Sequence, residues 1–199
     1  NWYEKFRKEK MKMKNIAIFG SSRSGKSTLA KMISKKYPNY HIIIGDDIRG
    51  AFQEVLPNNN INSKGGSGML EDFPNFLSCL FYKSIKRNKG EINYIVETCD
   101  ITPKKAYQLF NREDTILLFL GTPRQTIDEH FNEIRKYQTK KDWTYDRSDE
   151  HILEHSKYWI YKSKEYEKEC KKLNIWYVDT SFNREKILNI TLERIEEML

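Results

Sequence analysis

Residues 15–30 read Asn-Ile-Ala-Ile-Phe-Gly-Ser-Ser-Arg-Ser-Gly-Lys-Ser-Thr-Leu-Ala. Within them Gly20-Ser21-Ser22-Arg23-Ser24-Gly25-Lys26-Ser27 matches the spacing G-x-x-x-x-G-K-[ST]. An apolar run, Ile16 to Phe19, precedes the match, and a helical pattern starting at Ser27-Thr28-Leu29-Ala30 follows it. Strand, loop and helix in that order are what a phosphate-binding P-loop requires. Gly20 and Gly25 permit backbone angles closed to other residues, so successive N–H groups can converge on phosphate oxygens. Lys26 is placed to reach β- and γ-phosphates, the Ser27 hydroxyl to meet Mg²⁺, and the helix to offer its positive end. Residues 20–28, through Thr28, are therefore the expected nucleoside-triphosphate contacts. The alternative, a plain Gly/Ser turn between a strand and a helix, leaves the match at every fixed position unexplained.

Working outward, strand-like runs alternate with helix-period segments, which predicts a parallel sheet covered on both faces. The expected strands are 15–19, 40–44, 92–96, 115–120 and 175–178. Asp46 or Asp47 opens a short helix with Ile48, Phe52 and Val55 on one face. Residues 57–68, rich in Asn, Gly and Ser, read as a loop. A helix follows with Phe73, Phe76, Leu77, Leu80 and Phe81 as its buried stripe. Pro103 opens a short helix to Phe110, and Gly121-Thr122-Pro123 opens another with Ile127, Phe131 and Ile134 facing the core. The polar, basic stretch 136–149 holds no strand pattern. A long helix marked by Ile152, Trp159, Ile160 and Tyr166 ends near Leu173, and Arg184 to Leu199 closes the chain.

The chain has 199 residues, 38% of them hydrophobic, enough for one α/β domain with a buried core. It contains no membrane-length apolar run and no signal-peptide pattern. Cys79, Cys99 and Cys170 lack C-x-x-C spacing and cannot all pair, so they read as a reduced, cytosolic set. A formal charge of +7 suits a phosphorylated or nucleic-acid partner, yet acidic and basic residues are interspersed as on solvated helix faces. Residues 1–14 are mostly charged and read as an N-terminal extension or cloning remnant. His151 and His155 have i,i+4 spacing without a third ligand, which points to surface helix positions.

Taken together, residues 15–199 resemble the small P-loop kinases, the group that includes adenylate, shikimate and chloramphenicol kinases and zeta-toxin-like phosphotransferases. The resemblance rests on Gly20–Ser27, Gly45-Asp46-Asp47-Ile48-Arg49, Tyr94-Ile95-Val96-Glu97, Gly121-Thr122-Pro123, the basic stretch 135–147 and Tyr177-Val178-Asp179-Thr180-Ser181. It implies a P-loop NTPase three-layer sandwich with a five-stranded parallel sheet, a substrate-binding insert at about 57–89 and a helical or loop lid at about 135–149. It implies ATP and Mg²⁺ as cofactors and a small-molecule or nucleotide acceptor. Asp46 would take the acceptor proton, with Asp47 as the alternative base or cap. Arg49 would hold the acceptor or the moving phosphoryl. Glu97, with Ser27, would hold Mg²⁺, and Asp100 is a second candidate. Arg135 and Arg147 would close over the triphosphate from the lid, with Arg124, Lys140 and Lys141 beside them. Asp179-Thr180-Ser181 would cradle the adenine or cap the last helix, and Trp143 and Tyr145 would stack on a base or pack on the lid's hinge.

Two GTPase-like spellings, Asp47-Ile48-Arg49-Gly50 and Thr139-Lys140-Lys141-Asp142, occur in the wrong contexts. The second follows a charged helical run where a guanine-reading motif should end a buried strand. Other rivals are a polynucleotide 5′-kinase and a nucleotide-binding regulator without transfer. Positive charge permits the former, but no aromatic-basic alternation supports it. The chain lacks the D-G-x-P-R signature of adenylate-type kinases after the third strand, which weakens a nucleoside-monophosphate acceptor.

Overall fold

The computed structural model describes residues 13–55, 72–88, 91–140 and 142–199. The loop expected at 57–68, much of the expected insert and nearly all of the N-terminal segment lie outside the described residues. The elements run β1 (Asn15–Gly20), α1 (Lys26–Lys36), β2 (Tyr40–Ile44), α2 (Gly45–Val55), α3 (Asp72–Asn88), β3 (Asn93–Thr98), α4 (Pro103–Leu109), β4 (Thr115–Gly121), α5 (Ile127–Tyr137), α6 (Asp149–Leu173), β5 (Trp176–Asp179) and α7 (Arg184–Glu196). The strands form one all-parallel sheet ordered β2-β3-β1-β4-β5. The central strand β1 pairs with both β3 and β4, so its C-terminal end lies at the middle of the sheet. In open parallel sheets that end is where ligands bind.

Alternation along the strands explains the three layers. Successive side chains point to opposite faces, so a strand covered on both sides reads as one apolar run. Ala17 and Phe19 join Phe73, Leu77, Phe81, Leu117, Phe119, Trp159 and Tyr166 on one face, beneath α3, α4 and α6. Ile16 and Ile18 join Leu29, Ile33, Ile95, Leu118, Val178, Leu188 and Ile195 on the other, beneath α1 and α7. The ring of Phe19 meets Phe110 and Phe119 edge-on at 5.1 and 5.6 Å, arrangements that aromatic quadrupoles favour.

The structure corrects several sequence expectations. Val55 is 74% exposed, and Phe76 and Ile127 lie outside the core at 41% and 39%. Helix α5 starts at Ile127 rather than at Gly121, because Thr126 and Glu129 form a reciprocal capping box there. The expected strand 92–96 runs instead from Asn93 to Thr98, which puts Glu97 inside the ladder, paired with Ile18 and Ile44. The last helix takes Asn183 as its N-cap in a left-handed conformation, without a side-chain cap bond. Asp179-Thr180-Ser181 therefore does not cap it.

Gly20 is fixed by contact as well as by conformation. Its φ is 128°, and a Cβ there would sit 1.9 Å from the Leu120 carbonyl oxygen. Gly20→Ala is expected to cost more than about 3 kcal/mol, since backbone cannot yield as a side-chain tip does. Urea unfolding followed by circular dichroism measures it, and a loss under about 1 kcal/mol would contradict this packing.

Candidate active site

The loop from Gly20 to Gly25 turns through left-handed backbone at Gly20, Arg23 and Gly25. It is anchored from below and from the side. The Ser21 amide donates to the Leu120 carbonyl at 3.0 Å. The Ser24 hydroxyl donates to the Ser21 carbonyl at 2.8 Å, and the Thr180 hydroxyl donates to the Ser24 carbonyl at 2.8 Å. Leu188 and Arg184 of α7 press on Gly25, where a Cβ would meet Leu188 at 3.2 Å. The loop thus keeps its concave form through bonds from Leu120 of β4 and Thr180 after β5, a bond within the loop itself, and packing against α7. The first-turn N–H groups of α1 have no intrahelical acceptor and point out of its N-terminus, a ready site for an anion.

Lys26 is buried at 6% exposure, and its Nζ donates to the Ser21 carbonyl at 2.7 Å, so the ammonium lies over the loop. The Ser27 hydroxyl donates to Glu97 Oε1 at 2.9 Å. Glu97 is 3% exposed. Burial pushes its carboxyl pKa up, offset in part by the Lys26 charge and the Ser27 bond and reinforced by Asp46 and Asp47. A hydroxyl and a buried carboxylate side by side, next to a lysine, are the oxygen donors that Mg²⁺ takes, with substrate phosphates completing its shell. Burial also disfavours the lone negative charge on Glu97, and a cation there would relieve that cost. The donor set fits Mg²⁺ with a bound nucleotide.

Beyond Glu97, β2 runs directly into α2, and Gly45 permits this because a Cβ there would lie 2.6 Å from Thr98 Cβ. The close approach brings the first turn of α2 onto the end of β3. Asp46 Oδ1 accepts from Arg49 at 3.2 Å and lies 3.4 Å from the Thr98 hydroxyl. Arg49 also bonds the buried carboxylate of Asp100. Asp100 Oδ2 accepts from the Thr98 hydroxyl at 3.2 Å, and the Asp100 amide donates back to that hydroxyl at 3.1 Å. Asp46, Cys99 and Asp100 have potential ligand atoms within 4.8 Å of one another. Asp47, also in the first turn of α2, is exposed.

In the connection between α5 and α6, residues 138–148, Asp142 and Thr144 reach the phosphate loop. Arg23 donates to Asp142 Oδ1 at 2.9 Å and to the Thr144 hydroxyl at 3.0 Å. Thr139 and Asp142 close a tight turn, with the Thr139 amide 2.7 Å from Asp142 Oδ2. The T-K-x-D spelling is therefore a turn after a helix, not the end of a buried strand. Arg135 binds Asp149 and the carbonyls of Thr144 (3.3 Å) and Arg147 (2.8 Å). Its guanidinium braces the connection, whereas the sequence expectation aimed it at a triphosphate. The Arg147 side chain is exposed. Arg124 pairs with Asp179 at the end of β5, at 2.6 Å, and with Glu167 of α6, at 2.7 Å. Trp143 packs against His155 with centroids 4.5 Å apart, which corrects the expected surface position of His155, although His151 is exposed.

His130 is fully buried near the loop, its Nδ1 2.9 Å from the Ser156 hydroxyl. Burial drives its pKa down to about 4, with Glu133 opposing and Arg184 and Arg23 adding to the shift. Burial, then the charges of His130, His151 and Arg23, drives His155 to about 3. Both shifts are below the ordinary value of 6.5. The fold therefore favours the neutral rings, and their contribution is complete above pH 6.5 and lost as pH falls toward 4. At about 1.4 kcal/mol per pKa unit, His130 alone accounts for roughly 3 kcal/mol over that window. His130→Gln is expected to flatten the pH dependence of unfolding free energy between pH 6.5 and 4. An unchanged slope would contradict the assignment.

Sequence reasoning missed Thr98 and Asp142 as parts of this constellation, gave Thr180 an adenine or capping role where its hydroxyl bonds the Ser24 carbonyl, and ranked Asp100 below Glu97. The polar residues at the ends of β3 and β5 were the available signal for Thr98 and Thr180.

The sheet order and the loop define an α/β P-loop fold. Solved structures similar to this chain include small P-loop kinases, the group that the sequence resembles. Shikimate kinase from Bacteroides thetaiotaomicron aligns with TM-score 0.54 and 13% identity over 92% of this chain and 97% of its own. A gluconokinase from Sinorhizobium meliloti gives 0.58 and 12% over 94% and 93%. Deoxyadenosine kinase from M. mycoides, solved with bound dATP, gives 0.51 and 18% over 92% and 99%. At these identities the likeness is one of fold. No family model matches the sequence, and no curated protein matches it.

Proposed function

We propose that the chain is an ATP-dependent kinase that transfers the γ-phosphoryl of Mg-ATP to a small molecule or nucleotide. The observation carrying this reading is the adjacency of two clusters at the ends of neighbouring strands. Lys26, Ser27 and Glu97 gather at the phosphate loop, and Asp46, Arg49 and Asp100 gather at the ends of β2 and β3. Phosphoryl transfer asks little covalent chemistry of a protein; it needs an in-line acceptor, charge neutralisation and a carboxylate by the attacking hydroxyl.

In this reading the loop amides and Lys26 bind the β- and γ-phosphates. Ser27 and Glu97 would hold Mg²⁺, which supplies charge neutralisation between the phosphates. Asp46, oriented by Arg49 and Thr98, receives the acceptor's proton as the new O–P bond forms and the bond to the ADP oxygen breaks. The 138–148 connection acts as a lid that excludes water, tied to the loop through Arg23 and braced by Arg135. Arg147, whose side chain is exposed, is the lid arginine free to turn toward the phosphates. Kinase activity in structural relatives of the same fold supports the reading by analogy.

ADP release with Mg-ATP and a panel of nucleosides, nucleotides, sugars and a 5′-hydroxyl oligonucleotide tests it. Stimulation by one acceptor class is the expected result. Tight ATP binding without stimulation by any of them would replace the reading with that of a nucleotide-binding regulator.

A further inference from the structure

Between the phosphate loop and the ends of β2 and β3, the described side chains comprise four carboxylates, Asp46, Asp47, Glu97 and Asp100. Among the described residues, the cations set against them are Lys26, whose charge acts on Glu97, and Arg49, which is bonded to Asp46 and Asp100. Lys26 belongs to the phosphate loop, where its Nζ lies on the Ser21 carbonyl. Arg49 is 18% exposed and already bonded to both Asp46 and Asp100. Asp100 is held in turn by the Thr98 hydroxyl, so the pair is a fixed part of the wall. The guanidinium that would greet an anionic acceptor is thus matched before any acceptor arrives. Two carboxylate charges remain in surplus, with Asp46 half-exposed and Asp47 exposed. Mg-ATP itself brings further negative charge. A carboxylate or phosphate on the acceptor would meet like charge in a partly desolvated site, where juxtaposed like charges repel.

We propose that the acceptor is an uncharged or aminated polyhydroxyl compound, and that the Arg49–Asp100 pair with Asp46 and Asp47 selects against carboxylate- and phosphate-bearing ones. This rests on the kinase reading above and narrows it. Exclusion by mismatched charge is how a site built from the same fold parts separates acceptors that share a hydroxyl framework. An ammonium group on the acceptor would find Asp46 and Asp47 as partners.

Matched acceptors test the inference by ADP release at fixed Mg-ATP: a nucleoside against its 5′-monophosphate, and a hexose and a hexosamine against the hexuronic acid. In each set that turns over, kcat/KM for the uncharged or aminated member should exceed that for the anion by at least about tenfold, each tenfold being 1.4 kcal/mol. Asp100→Asn leaves the side-chain shape and frees Arg49 from one partner. It should shrink the ratio by about tenfold, mainly through a lower KM for the anion, with KM for ATP unmoved. Asp47→Asn, at an exposed helix position, should shrink it in the same direction. Preference for the anionic members, or ratios unmoved in both variants, overturns the inference and leaves the kinase reading standing. No stimulation by any member, with Mg-ATP still bound, removes the kinase reading and this inference with it.

Discussion

Lys26→Ala should lower acceptor-dependent turnover by about 10³-fold or more, the scale seen when a preorganised cation or donor at a transferring phosphoryl group is removed. The ammonium is buried, sits directly above the loop on the Ser21 carbonyl, and neighbours the Ser27–Glu97 pair. In a low-dielectric pocket a fixed charge of this kind acts more strongly than in water, and it needs no reorganisation during the reaction. The folded state loses one charge-assisted hydrogen bond, worth about 1.5–3 kcal/mol, and the positive charge that offsets the burial of Glu97. The melting temperature should therefore fall by a few degrees with the protein still folded, while turnover collapses and nucleotide binding weakens. Steady-state kinetics beside thermal unfolding separate the two effects. Retention of turnover within tenfold of the parent protein would remove Lys26 from the phosphate site.

Asp46→Asn should suppress transfer by about 10² to 10⁴-fold, the usual contribution of a positioned general base, while sparing ATP binding. The amide keeps the shape that meets Arg49 and Thr98 but cannot take the acceptor's proton. Asp46 lies on the first turn of α2 and is half-exposed, as a base that must meet an incoming acceptor has to be. A KM for ATP unchanged with kcat reduced is the signature of an interaction made in the transition state only. Normal transfer by this variant would shift the role to Asp47, the neighbouring exposed carboxylate.

The middle of the sheet was legible because β1 and β4 are buried on both faces. Continuous apolar runs such as Ile16 to Phe19 and Ile116 to Leu120 leave little choice but a central parallel strand. The phosphate loop was legible because its chemistry fixes both glycines, the lysine and the serine. Helix stripes were less so: Val55, Phe76 and Ile127 fit a 3.6-residue period yet lie exposed. Period alone does not reveal whether a neighbouring element covers the stripe. The capping box at Thr126 and Glu129 was written in the sequence as T-x-x-E, and it places the start of α5 better than Pro123 does.

The rest of the site depends on contacts between residues far apart in sequence. Arg23 meets Asp142 across 119 positions, and Thr180 meets Ser24 across 156. Neither pairing leaves a local pattern. Arg135 illustrates the converse, because its position in a basic stretch suggested phosphate contact while its bonds go to Asp149 and two carbonyls of the same connection. Composition gives a charge to a segment; only the fold gives that charge a partner.

The most direct measurement follows the γ-phosphoryl itself, by ³¹P nuclear magnetic resonance of the protein with Mg-ATP and each acceptor in turn. A new phosphate-ester resonance appearing as ADP forms, and absent with Lys26→Ala, is the predicted result. Release only as inorganic phosphate, or no consumption of ATP with any acceptor, would contradict transfer at this site.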